Sequence, residues 1–183
     1  MREKQSILIR LFKWDKLVFL LAFLIPIVFY TEHAGKLILI ALICVISKSN
    51  LVNSTMKIEV HSFLIAVTAN LYGAGAGIFI AFVANALELK VGPLMKVHPN
   101  PMFLVTDFFY MVVLSIVSAA VPARSLMLAA MLTIILVDHI LVNVLRFATL
   151  PDKPKHWINS AINTIVTYLL FVKLLVPTLA FLA

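Results

Sequence analysis

A run of small residues inside a long apolar stretch constrains this chain more than any other feature. The stretch 58–89 carries three of the five glycines, and all three fall within Gly73–Gly77. Small residues at a spacing of four lie on one helical face, where they let helix backbones approach closely in lipid. The residues with this spacing are Ala69, Gly73, Gly77 and Ala81. The same glycines can instead break the stretch into two short helices, and the two alternatives give different topologies.

Composition predicts an integral membrane protein. Hydrophobic residues make up 63% of the chain, well above the usual half of a soluble domain. The net charge of +7 comes mostly from lysines and arginines between the apolar runs, as expected for loops that face anionic lipid. No soluble basic segment interleaved with aromatic residues is present, so nucleic acid is not an expected partner. The predicted fold class is all-α, a polytopic membrane helix bundle with six to seven transmembrane segments.

The chain divides into a short basic segment and a helical bundle. Residues 1–16 place apolar and basic side chains on opposite helical faces, which is typical of an amphipathic helix in the membrane interface. A cleaved signal peptide is the less favoured interpretation, because no small-x-small cleavage site follows in the next segment. Residues 17–183 form the predicted transmembrane bundle. Its apolar segments are Leu17–Thr31, Leu37–Ser47, the stretch 58–89, Met102–Val121, Leu126–Leu145 and Trp157–Leu182.

The distribution of basic residues favours a break within Gly73–Gly77. If the chain turns there, seven segments cross with a cytoplasmic N-terminus. Twelve lysines and arginines then face the cytoplasm and two face outside, with Lys173 left out because it lies within the last segment. If 58–89 crosses once, the division is eight against six. The positive-inside rule therefore prefers the broken helix. Length agrees, because 32 helical residues would extend for about 48 Å, well beyond a hydrocarbon core of about 30 Å.

Polar residues within the apolar segments are the candidate ligand-binding groups. Charged groups at membrane depth are costly and usually face a cavity or a partner. Asp138 and His139 lie well inside their segment, and such a pair suits a proton relay because histidine titrates near neutral pH. For these residues, binding to neighbouring helices is an equally weighted structural alternative. The full candidate set is Glu59, His61, Asn70, Asn85, Asp107, Asp138, His139, Asn143 and Asn163.

Each of the remaining candidates also has an alternative structural role that does not involve a ligand. Asp107 lies close to the start of its segment and can cap the first helical turn. Glu59 is near a helix end and can reach water. Asparagines such as Asn163 most often hydrogen-bond across helices in lipid. The functional hypothesis is that several polar stripes converge on one small pocket.

The stretch KIEVHSFLIAVTANLYGAGAGIFIAFVANALE and the final NSAINTIVTYLLF resemble the substrate-binding S components of energy-coupling-factor vitamin transporters. In that family a short helix leads into a small, glycine-rich turn and a second helix that ends in a polar residue. The resemblance implies six core helices and an outward-facing ligand pocket. It also implies a transmembrane coupling subunit and ATPases as partners. The related rod-shape-determining membrane scaffolds have a similar hydropathy profile.

These features predict a membrane-embedded, solute-binding component of a small-molecule, vitamin-like uptake system in the cell membrane. The first alternative is a scaffold that docks partners through the small-residue face, and the second is a small ion or proton-coupled carrier. An enzyme is not expected, because no HExxH, CxxC, GxSxG or Walker A motif occurs. His61 and His98 lack a third histidine at metal spacing, so neither a metal nor another cofactor is predicted.

Overall fold

The computed structural model describes residues 24–48, 60–94, 101–142 and 153–182. Every regular element in these ranges is helical, as the sequence predicts. The α-helices are α1 (Ala34–Lys48), α2 (His61–Tyr72), α3 (Ala74–Leu94), α4 (Pro101–Ala120), α5 (Leu126–Thr133) and α6 (Lys153–Leu182). Helix α5 continues into a π-helical segment, Ile134–Val142, and two 3-10 turns cover Thr31–His33 and Ala123–Ser125. The predicted interfacial segment 1–16 lies outside the described residues.

The chain separates into two compact units, Met1–Leu39 and Ile40–Ala183. In the first unit, residues 24–29 are helical and lead through the first 3-10 turn into α1. The carbonyl of Pro26 accepts the Tyr30 amide at 2.9 Å, and the Thr31 hydroxyl donates to the Ile27 carbonyl at 3.0 Å. These local bonds satisfy backbone groups where one helical stretch ends and the next begins.

Two stretches of the described residues are long and apolar enough to cross a membrane. They are Ala123–Leu141, with 19 residues, and Ala161–Leu182, with 22 residues. At about 1.5 Å per residue their lengths approach the roughly 30 Å of a hydrocarbon core. Ala74–Ala86 and Val105–Ala120 are apolar but shorter. Of the six to seven predicted transmembrane segments, the described structure thus supplies two by length and composition.

The predicted break of the central stretch occurs at one residue, Gly73. Its φ of 90° and ψ of 164° are essentially restricted to glycine. The Gly73 amide donates to the Ala69 carbonyl at 2.9 Å, and the Gly73 carbonyl accepts the Ala76 amide at 3.1 Å. Gly73 therefore ends α2 and begins α3. The sequence predicts a turn over all of Gly73–Gly77, but only the first glycine leaves the helix, because the four residues after it form the first turn of α3.

The chain folds back at this break, so that α2 packs against α3. A methyl group built on Gly77 would lie 2.8 Å from the Ala69 Cβ, although eight residues of a straight helix would separate the two by about 12 Å. The same methyl group would lie 2.6 Å from the Ser115 hydroxyl of α4. Three helices thus meet at small residues, and Gly77 permits the contact because it has no side chain.

Helix α6 packs on α2 at the side of this three-helix core. The rings of Phe63 and Phe171 meet edge to face with centroids 5.0 Å apart, and Thr167 is buried on the same side of α6. Near the end of α6, the Tyr72 hydroxyl donates to the Leu182 carbonyl. The opposite side of α6 carries large exposed apolar residues.

Candidate functional site

Asn70 connects the end of α2 to the end of α4. Its Nδ2 donates to the Ser118 carbonyl at 2.9 Å and to the Val121 carbonyl at 2.8 Å. The last carbonyls of a helix have no intrahelical donor, and Pro122, which follows, has no N–H to offer. Asn70 therefore caps α4 from a neighbouring helix. Both amide hydrogens of Asn70 are used in these two bonds. Asn70, which the sequence suggests as a ligand-binding residue, therefore has a structural role.

Asn85 is also bonded within the helical core. It is 6% exposed, and its Nδ2 donates to the Ala81 carbonyl at 2.9 Å and lies 3.2 Å from the Met111 sulfur. His61 is buried at the start of α2, and Asp107 is half-buried near the start of α4. Both of these residues make polar interactions in the structure. Because Asn85 and His61 are buried and Asp107 is half-buried, these three candidates do not form an open polar surface.

Asp138 and His139 lie in the π-helical segment, and His139 contacts α6. The His139 Nε2 forms a hydrogen bond with the Thr164 hydroxyl. The other ring nitrogen, Nδ1, lies 4.0 Å from the Asp138 carboxylate, and the two side chains are only 16% and 19% exposed. One imidazole is thus placed between a hydroxyl of another helix and a carboxylate of its own.

Asn163 adds a further polar group beside Thr164 on α6. Its Oδ1 is buried and has no hydrogen-bond partner within the described part of the chain. Buried polar atoms normally have partners, so Asn163 Oδ1 is an exception among the polar atoms of α6. We refer to Asp138, His139 and Thr164 as the Asp138 cluster; Asn163 is the residue before Thr164 on α6.

The backbone around the Asp138 cluster is unusual. The segment Ile134–Val142 is π-helical over nine residues, whereas π-helices are mostly single-turn insertions that occur frequently at functional sites. The change in winding turns Asp138 and His139 relative to the α-helical register of α5. In the sequence, Arg124 precedes Asp138 by fourteen residues and Arg146 follows it by eight, so Asp138 lies inside an apolar run.

The other predicted site residues are distributed differently. Glu59 and Asn143 lie outside the described residues. Of the predicted packing residues, Ala69 and Ala81 are fully buried and Gly77 is buried, whereas Gly73 is exposed at the break. Across the described ranges, no three histidine, cysteine, aspartate or glutamate side chains come together as a metal site.

Two contacts between helices were not predicted from sequence. Thr164, the partner of His139, lies one residue after the predicted Asn163, and Ser115 completes the packing around Gly77. Both are hydroxyl residues within apolar helices, and their sequence neighbours do not indicate which distant residue they contact. Only the packing of helices reveals such pairs.

No family model, no curated protein and no solved structure matches the chain.

Proposed function

We propose that this protein is a membrane-embedded, solute-binding component of a small-molecule uptake system, and that the Asp138 cluster is its binding site. The observation that supports this proposal is the position of the cluster. A carboxylate, an imidazole and a hydroxyl lie between Ala123–Leu141 and Ala161–Leu182, the two stretches most suited to crossing a membrane. Ionisable groups in such segments usually face a solute path or a partner, because their burial in lipid is costly.

The chemistry of the cluster suits a small polar solute. A carboxylate such as Asp138 accepts hydrogen bonds or pairs with a cation, and the His139 imidazole and the Thr164 hydroxyl can each donate or accept. The buried Asn163 Oδ1, one residue before Thr164, is a further acceptor on α6. A few convergent polar groups in an apolar surround are typical of small-molecule sites. We therefore propose a solute that carries hydrogen-bond donors, consistent with the resemblance to vitamin-binding S components.

The other polar candidates support the fold in preference to a second site. Asn70 and Asn85 use their amide groups within the chain. The small-residue face at Ala69, Gly77 and Ala81 is covered by the protein's own helices, so it is not accessible for docking a partner. We therefore favour the uptake component over a scaffold that docks partners through this small-residue face.

The proposed topology has six to seven membrane-spanning segments with a cytoplasmic N-terminus. The reversal at Gly73 supports this arrangement, because it returns the chain to the side on which α2 begins. Cysteine-accessibility labelling at Lys57 and Lys90 is the direct test. We expect both positions to react from the same side of the membrane, and reaction from opposite sides would contradict the topology.

Native mass spectrometry of the full chain, purified in mild detergent, tests solute binding. We expect a co-purified small molecule on the wild-type protein and its loss in Asp138→Asn, which keeps the side-chain shape. Glu32→Gln is the matched control, because it neutralises an exposed carboxylate outside the cluster and should retain the adduct. An adduct that persists in Asp138→Asn, or that disappears equally in Glu32→Gln, would contradict the assignment.

A proton-coupled carrier is the second candidate, and the closeness of Asp138 and His139 favours it. In vesicles that contain a pH-sensitive dye, such a carrier would move protons when a pH gradient is imposed. His139→Ala should abolish that signal, whereas His33→Ala, which changes an imidazole in the first 3-10 turn, should preserve it. Proton movement without any bound solute would favour the carrier over the uptake component.

A further inference from the structure

Lys173 is a cation in the middle of an apolar membrane-compatible helix. It lies twelve residues after the start of Ala161–Leu182 and nine before its end, and its side chain is exposed. Among the described residues, Lys173 has no hydrogen bond or ion pair. An unpaired lysine near the centre of a membrane helix costs about 2.5–3.5 kcal/mol on insertion scales. A membrane protein therefore keeps such a residue at a cost to its own insertion.

Lys173 points away from the protein's own helices. Phe171, two residues earlier, packs on Phe63 of α2, and two positions rotate a helix by about 200°. The exposed residues Leu169 and Val176 flank Lys173 at helical spacing, and they are 50% and 76% exposed. The outer face of α6 is thus an apolar surface with one positive charge at its centre.

A second polar group lies at the same depth. Pro177 follows Lys173 by four residues inside α6, and proline has no N–H to donate to the carbonyl four positions before it. The carbonyl of Lys173 therefore loses its regular helical donor. One helical turn thus carries both an exposed ammonium group and a carbonyl without its regular donor, and lipid tails offer no hydrogen bonds to either.

From this geometry we infer that the outer face of α6, centred on Lys173, docks a transmembrane helix of another protein that carries a carboxylate at mid-membrane depth. Charge complementarity selects the partner, because a carboxylate neutralises the ammonium group where water is absent. A second copy of this chain fits poorly, since a symmetric contact through this face would bring two Lys173 side chains together. The inference relies on the membrane location in the proposed function and is independent of solute binding.

A designed helix supplies the test. The full-length protein, with a photo-crosslinking residue at Leu169, is reconstituted into phosphatidylcholine vesicles with a Leu/Ala transmembrane peptide of about 20 residues. One peptide carries a central aspartate and its control carries a central asparagine, which has a similar shape but no charge. We expect the aspartate peptide to cross-link several-fold more strongly than the asparagine peptide.

Lys173→Met should remove this preference, and Lys36→Met, which deletes a lysine of α1, should leave it unchanged. A cross-linker at Leu128 of α5, which is also exposed, should show no preference. Equal cross-linking of both peptides to the wild type would overturn the inference, and so would a preference that survives in Lys173→Met. Cross-links between two copies of the protein that exceed those to the peptide would also overturn it.

Two controls separate this inference from the proposed function. Flotation with the vesicles after an alkaline wash establishes membrane insertion before cross-linking, and failure at that step contradicts the membrane location. Thermal unfolding of Lys173→Met in detergent should match that of the wild type, because an exposed side chain contributes little to packing. Unfolding of this variant at a clearly lower temperature would overturn the inference, since it would assign Lys173 to the protein's own fold.

Discussion

Gly77 of α3 and Ser115 of α4 lie so close together that a methyl group at position 77 would come within 2.6 Å of the Ser115 hydroxyl. Ser115 is fixed in turn, because its hydroxyl donates to the Met111 carbonyl at 2.8 Å. On the other side, the same methyl group would meet Ala69 of α2. The approach of three helices therefore depends on the absence of a side chain at one position.

Gly77→Ala should destabilise the protein by about 1–3 kcal/mol, the usual range for overpacking a filled core. Denaturation of the purified protein in mixed micelles would measure the change in unfolding free energy. The control is Gly35→Ala, because a methyl group there meets nothing within 4 Å. A helix position with free space should tolerate alanine or gain stability from it. Equal effects of the two substitutions would contradict the close contact.

A double-mutant cycle refines this prediction. Ser115→Gly removes the nearest obstacle, so Gly77→Ala should cost less in the Ser115→Gly background than in the wild type. The coupling energy between the two sites should be about 0.5–3 kcal/mol, as found for residues in contact. Additive effects would show that the two positions do not share a contact.

Substitutions of Gly73 should lower the free energy of unfolding because of the backbone conformation at this residue, since no neighbouring atom would clash with a side chain. No atom lies within 4 Å of a methyl group added there, but φ is +90° with ψ at 164°. This region costs other residues on the order of 1–3 kcal/mol. Asparagine, which tolerates the left-handed helical region, should be no better than alanine, because that region requires a ψ near +45°. Wild-type stability in Gly73→Asn would contradict the observed backbone conformation.

Removal of the Asn70 amide should destabilise the end of α4. Asn70→Ala leaves two carbonyls without a donor, and an unsatisfied buried group costs about 1–3 kcal/mol. Asn70→Asp should cost more, because a carboxylate would face those carbonyls at hydrogen-bond distance. Hydrogen–deuterium exchange should increase around Ser118 in both variants. Greater stability in Asn70→Asp than in Asn70→Ala would rule out the capping role.

Thr68→Val should stabilise the protein or leave it unchanged. Thr68 is fully buried, and its hydroxyl has no hydrogen-bond partner in the described part of the structure. Valine keeps the shape and removes the buried polar atom, whose desolvation costs about 1–3 kcal/mol on protein mutational scales. Thr133→Val is the comparison, because the Thr133 hydroxyl donates to the Ala129 carbonyl at 2.9 Å. A larger loss of stability in Thr68→Val than in Thr133→Val would contradict the prediction, because it would show that the Thr68 hydroxyl forms a stabilising hydrogen bond.

The sequence alone predicts the helical class and much of the element order. The predicted apolar segment Leu37–Ser47 lies inside α1, which extends from Ala34 to Lys48. The predicted segment that begins at Met102 starts one residue after the first residue of α4. The glycine-rich run predicts the break in the central stretch. These properties are local, because each depends on the preference of a short segment for helix, turn or apolar surroundings.

Tertiary structure decided what the polar and small residues do. The spacing of Ala69, Gly77 and Ala81 is compatible with one helical face, but the break at Gly73 places Ala69 on α2 and the other two on α3. Their contact is therefore made between helices, together with Ser115 of α4. The capping role of Asn70 and the pairing of His139 with Thr164 join residues 48 to 51 and 25 positions apart. Such contacts depend on how helices cross and rotate. That arrangement follows from the packing of all side chains together, so the pattern of any single segment does not contain it.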